Sequence, residues 1–160
     1  MGFGTIVRQA VCLGLSFLCI GAAGLNDDSD SNSATRTGTI ILDVRGFRNG
    51  DGKARVAVFS NKDGFPSDNE KAQFLMIQAI IDSACSVRFL DIPYGNYAVS
   101  LFHDENNNGK LDTTWYGLPK EGIGISSNAQ SRYGPPSFED ARFALTADSL
   151  KLDIQIRYLR

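Results

Sequence analysis

A β-sandwich is the fold this sequence predicts, and three observations predict it. Apolar residues recur with a period of two in several short segments, turn-forming residues separate those segments at regular spacing, and no stretch carries the period of an amphipathic helix. The chain has 160 residues, 42% hydrophobic and 21% charged. That is enough apolar material for a core and too little charge for a disordered chain. Once a leader is set aside, the remainder is the size of one domain.

Arg8 gives the chain a positive start, and residues 10–23 (AVCLGLSFLCIGAA) form an apolar run ending in small side chains. This is the anatomy of a secretory signal peptide over residues 1–24, cut after Ala23 or Gly24. The run is shorter than the roughly 20 residues a membrane-spanning helix needs, so no membrane span is expected in the mature chain. Cys19 follows Phe17 and Leu18 rather than small residues, which argues against a lipoprotein leader. Cys12 and Cys19 leave with the leader, and the mature chain keeps only Cys85, so an internal disulfide is excluded. Cys85 reads as a small buried thiol. The formal net charge of -2, about -3 without Arg8, argues against a nucleic-acid footprint, which needs clustered Lys and Arg.

Residues 25–38 have almost no apolar side chain and read as a disordered tether to a domain at 39–160. Residues 39–45 then place Ile40, Leu42 and Val44 on one face. Asn49-Gly50-Asp51-Gly52 supplies residues that tolerate positive φ, as in a hairpin turn. Residues 53–60 read as the return strand, with Val56 and Val58 on one face and Ala57 and Phe59 on the other. Residues 61–69 are a loop by composition. The pattern of residues 73–81 fits a helical turn or a buried strand, and the strand is preferred.

Residues 87–92 are another strand, and Pro93-Tyr94-Gly95-Asn96 turns the chain into residues 97–103, where Tyr97, Val99 and Leu101 alternate with Ala98, Ser100 and Phe102. From residue 104 to 140 Asn, Gly, Pro and Ser dominate; loops this long carry a site or are held by something. Residues 143–145 are short and extended. Residues 150–158 alternate throughout, with Leu150, Leu152, Ile154, Ile156 and Tyr158 inward, the pattern of a half-buried antiparallel strand. The whole is one antiparallel sandwich of six or seven strands with a long irregular loop at 104–140.

That loop opens on the pattern that carries chemistry. Asp104-Glu-Asn-Asn-Asn-Gly-Lys-Leu-Asp112 puts oxygen side chains at loop positions one, three, five and nine and glycine at six. Calcium is a hard cation that takes six to eight oxygens at about 2.3–2.6 Å, and alternating ligands on a tight loop wrap it from one side. Asp104, Asn106 and Asn108 would ligate directly, Lys110 through its carbonyl, and Asp112 directly or through water. Trp115 stands where a helix-loop-helix site has its bidentate glutamate, so this is not an EF-hand. Glu121 or Asp140 would complete the shell, and with two neutral amides the affinity falls in the weak range, about 10⁻⁴ to 10⁻³ M. The plainer reading is an Asn- and Gly-rich turn that caps itself with side-chain hydrogen bonds.

A hydrolase using His103 with Asp104 or Glu121 is the rival reading. A lone histidine at a strand end is more often a hydrogen-bonded structural residue. Paired acid and base work by Asp104, Glu105, Asp112 or Glu121 conflicts with ligating a cation. Ser126 and Ser127 lack a nucleophile-elbow pattern. Trp115, Tyr116 and Tyr133 are expected to pack the loop onto the sandwich, the alternative being a sugar-stacking or peptide-binding surface.

Residues 89–99 (FLDIPYGNYAV), 103–112 (HDENNNGKLD), 117–126 (GLPKEGIGIS) and 134–141 (GPPSFEDA) together resemble a bacterial secreted family known as domain of unknown function 2141, over about residues 39–158. The resemblance implies an exported, periplasmic or surface-associated protein with a prealbumin-like or immunoglobulin-like sandwich and no established activity. The Gly-x-Tyr turn is also similar to that of carboxypeptidase-regulatory and collagen-adhesin modules, by fold analogy alone. The expected function is that of a non-enzymatic binding or structural module with a calcium-stabilised loop, acting on an extracellular ligand, glycan or protein.

Overall fold

The computed structural model describes residues 35–159; the leader and most of the tether lie outside them. Eight strands run in order: β1 (Thr37–Arg45), β2 (Lys53–Phe59), β3 (Phe74–Gln78), β4 (Ala84–Pro93), β5 (Gly95–Asp104), β6 (Ile123–Ile125), β7 (Phe143–Leu145) and β8 (Ser149–Gln155). One helical turn, α1 (Phe138–Ala141), precedes β7. Strand β1 begins at Thr37, two residues before the expected start of the domain at 39. The strands form a three-stranded sheet, β4-β1-β8, and a five-stranded one, β3-β2-β5-β6, with β7 pairing the start of β5.

The core lies between the two sheets. Alternation sends Ile40, Leu42 and Val44 of β1, Val56 and Val58 of β2, Val87 and Phe89 of β4, and Tyr97, Val99 and Leu101 of β5 into it. A second, smaller core covers part of the outer face of the five-stranded sheet. There Ala57, Phe59 and Ala98 meet Ile125, Phe138 and Ala141, and Phe65 packs edge-on between Phe59 and Phe138. Both faces of β2 are therefore buried along this stretch, as its unbroken Val-Ala-Val-Phe run requires.

Three expectations need correction. Residues 49–52 do not close a hairpin: β1 pairs β4 and β8 while β2 pairs β3 and β5. The connector crosses between sheets, with Phe47 buried in the core along the way. Alternation decides which face a strand buries and says nothing of its partner, so turn-forming residues alone suggested the nearer pairing. Strand β8 pairs β1 in parallel, not antiparallel. A parallel edge strand with one solvated face alternates just as an antiparallel one does. Finally, the stretch from 104 to 140 is not irregular throughout, since it holds β6, a tight turn at Ser126–Asn128 and α1. Strand β6 is too short to show a period. Helix α1 carries a capping box, Ser137 with Asp140, that its Ser-x-x-Asp spacing would have revealed.

Strands β4 and β5 also lie in different sheets, with Tyr94 alone between them. The hydroxyl of Tyr97 donates to the Pro93 carbonyl at 2.8 Å and ties this corner. Gly95 lies under the Tyr97 ring, about where a Cβ would be in contact at 3.4 Å.

Candidate functional site

The end of β5 sets the site. Strand alternation sends His103 inward and Asp104 to the opposite face, where Arg55 of β2 emerges beside Phe102. The Arg55 guanidinium donates to Asp104 Oδ2, and the Gly109 N–H donates to the same oxygen at 3.0 Å. Asp104 Oδ1 accepts the Asn108 N–H at 3.0 Å. Burial pushes the Asp104 carboxyl up, but Arg55 and these two N–H groups more than offset it and hold it below the usual carboxylate range.

The loop then closes on itself. Asn106 Oδ1 also accepts the Asn108 N–H, at 3.0 Å, and Asn108 Oδ1 accepts the Lys110 N–H at 2.7 Å. The amides of Asn106 and Asn108 donate to the two oxygens of Asp112 at 2.7 and 3.0 Å. Asn107 and Gly109 take positive φ of 56° and 83°, which lets the chain coil this tightly. Asp104, Asn106, Asn108 and Asp112 are therefore brought together by hydrogen bonds within the loop, the pattern of the self-capping turn.

Glu121 and Asp140 are placed differently. Glu121 is buried beneath the loop, where its carboxylate accepts the Glu105 N–H at 2.9 Å and the Asp112 N–H at 3.0 Å. It clasps both ends of the loop and has no oxygen turned into it without a partner. Asp140 caps α1, which packs near Ala98, six residues down β5 from Asp104, or about 20 Å. Among the described residues, no three His, Cys, Asp or Glu side chains gather as a metal-binding group; the loop offers two carboxylates and two amides.

His103 is 0% exposed. Its Nε2 lies 2.6 Å from the Asp51 carbonyl, which can only accept, so that nitrogen carries a proton. Nδ1 lies 2.7 Å from the Tyr158 hydroxyl and 3.3 Å from Glu105 Oε1, and Phe47 packs edge-on against the ring. Glu105 in turn accepts from Arg48 at 2.5 Å. Neither nitrogen of His103 is open to a substrate. Ser126 is likewise structural: its hydroxyl donates to the Ala141 carbonyl at 2.6 Å and accepts the Val99 N–H at 2.9 Å. Burial pushes the Cys85 thiol up to about 11, so it stays protonated and unreactive near neutrality.

The aromatic residues do not pack the loop onto the sandwich. Residues 113–119 form a small hairpin, bridged between Thr113 and Pro119, in which the Gly117 N–H closes a turn on the Thr114 carbonyl at 3.0 Å. Trp115 and Tyr116 take the two central positions of that turn, 95% and 58% exposed, and Tyr133 is 91% exposed. They stand clear because the turn is closed by its own backbone and Thr114, and the clasp below uses Glu121, so no aromatic contact is needed to hold it.

Set against known families, residues 42–153 match the model described as "Uncharacterized protein conserved in bacteria (DUF2141)". The chain belongs to this family. In this DUF2141 protein the matched span takes in every strand but the ends of β1 and β8, and the whole of the loop from Asp104 to Glu121. No curated protein and no solved structure matches the DUF2141 chain.

Proposed function

We propose that this DUF2141 protein is an exported, non-enzymatic binding module whose loop at 104–121, organised by calcium, holds an aromatic hairpin out to an extracellular partner. The exposure of Trp115 above a base of buried carboxylates carries this reading, because a fold rarely spends its largest apolar side chain on open solvent without a contact to make. The hydrolase alternative asks His103, Asp104 or Glu121 to meet a substrate. Each is buried, with its polar atoms engaged by the protein itself.

The calcium reading is supported by the gathering of oxygens. Asp104 Oδ1 and Asn106 Oδ1 share one N–H, and Asp112 is held across the loop by the amides of Asn106 and Asn108, which would give up their bonds to the Asn108 and Lys110 N–H groups to turn oxygen toward a cation. The donor set suits a hard cation: Asp104, Asn106, Asn108, Asp112 and the Lys110 carbonyl, with water in place of Glu121. Arg55, already neutralising Asp104, keeps the affinity low.

Thermal melts of the processed chain, whose intact mass reports cleavage after Ala23 or Gly24, test both parts. Calcium at tenfold its Kd is expected to stabilise the wild type by about 1.4 kcal/mol relative to chelator. The Asn106→Ala/Asp112→Ala double variant should lose that shift and keep the fold, since Asn106 is exposed, Asp112 is half-buried and neither belongs to the core between the sheets. Equal shifts in both proteins would show that the cation binds elsewhere or not at all.

A further inference from the structure

We infer that the hairpin at residues 113–119 is an interfacial anchor, seating Trp115 and Tyr116 among the headgroups of an anionic lipid bilayer; this rests on the module reading above and names its partner. The central positions of a tight turn ordinarily go to Gly, Pro, Asn, Asp or Ser. Here they hold the chain's one tryptophan and a tyrosine, their rings edge-to-face at 5.0 Å. Leu118 beside them is also exposed, and a Cβ added to Gly117 would meet nothing within 4 Å. The tip stands in open space.

Its shape and charge select the partner. Small-molecule and sugar sites are concave, whereas this tip is convex and fits a medium that yields around it. Indole and phenol rings settle at the boundary between headgroups and acyl chains. No acid lies between Asp112 and Glu121; Glu121 is buried, and Asp112 is engaged by two amides. The exposed charges flanking the hairpin are Lys110 and Lys120, which favour anionic headgroups locally even though the whole chain is formally -2. The base is already ordered: the Lys120 N–H donates to the Asp112 carbonyl at 2.9 Å and the Thr114 N–H to the Leu118 carbonyl at 2.7 Å. Insertion therefore costs little loop entropy. Among the described residues no helix is long and apolar enough to cross a membrane, and the contact proposed is with the surface alone.

Because Trp115 is the only tryptophan, fluorescence reports on the tip directly. Vesicles of phosphatidylcholine with phosphatidylglycerol are expected to shift its emission to shorter wavelength and to quench it when the lipids are brominated, and pure phosphatidylcholine to do so less. Lys110→Gln and Lys120→Gln should each weaken partitioning about fivefold at low salt. Tyr116→Ala/Leu118→Ser should weaken it about tenfold or more with the melting temperature unchanged. Emission of Trp115 left unmoved by anionic vesicles, whether or not the processed chain attaches through another segment, overturns the proposal. So does an emission shift produced by soluble oligosaccharides or peptides but not by anionic vesicles. In either case the calcium melts still decide the module reading separately.

Discussion

Asp104→Ala is expected to destabilise the domain by about 3 kcal/mol and lower its melting temperature by about 10 °C. The substitution removes the one carboxylate that Arg55, Asn108 and Gly109 share, and it leaves a guanidinium on the sheet with no counter-charge. Arg55 is partly exposed and can turn to water, so the loss stays below that of a fully buried pair. Adding Arg55→Leu should recover part of it, since the unpaired charge is then gone. The effect also has a pH signature. A carboxyl whose native pKa lies below its unfolded value contributes stability that is fully present above about pH 4 and is lost as pH falls through the native value. The gap between wild type and Asp104→Ala should thus be widest above about pH 4 and narrow below it. Chemical denaturation across that range provides the check; a variant within about 0.5 kcal/mol of wild type at neutral pH would mean the loop is not anchored through Asp104.

Gly52→Ala is expected to be nearly as damaging, at about 2–4 kcal/mol. Gly52 has a φ of +66°, and a Cβ there would lie 1.9 Å from the Asp104 carbonyl oxygen and 2.7 Å from Glu105 Cα. These are backbone atoms of the loop's first residues and have little room to give. Gly117→Ala separates the two causes, since its φ of +86° imposes similar backbone strain with nothing within 4 Å; it should cost only about 1 kcal/mol. Equal losses in the two variants would show that the close approach of residue 52 to Asp104 does not matter.

Much of this was legible in residue order. The alternation of Ile40, Leu42 and Val44, and of Tyr97, Val99 and Leu101, located the inner faces, and the oxygen spacing from Asp104 to Asp112 located the loop. What residue order did not carry was partnership across the sheets. Arg55 follows Lys53 by two residues in the strand Lys-Ala-Arg-Val-Ala-Val-Phe, so residue order does not set it apart, and only the pairing of β2 with β5 shows that it answers Asp104. Glu121 reads from the sequence as a candidate to complete the shell, as Asp140 does, because composition shows a carboxylate and not which way it faces; its place under the loop depends on β6 pairing β5. Residue order favours packing for Trp115 because aromatic side chains usually pack, and its turn holds without it.

The central claim is that residues 104–121 are a built platform rather than a slack surface loop, and amide hydrogen exchange tests it most directly. The N–H groups of Glu105, Asn108, Gly109 and Asp112 each donate to a carboxylate of Asp104 or Glu121. They should exchange far more slowly than the unbonded amides of the hairpin tip, and more slowly still when calcium is added. Exchange of these four amides at the rate of an unstructured peptide, with or without calcium, would contradict the account.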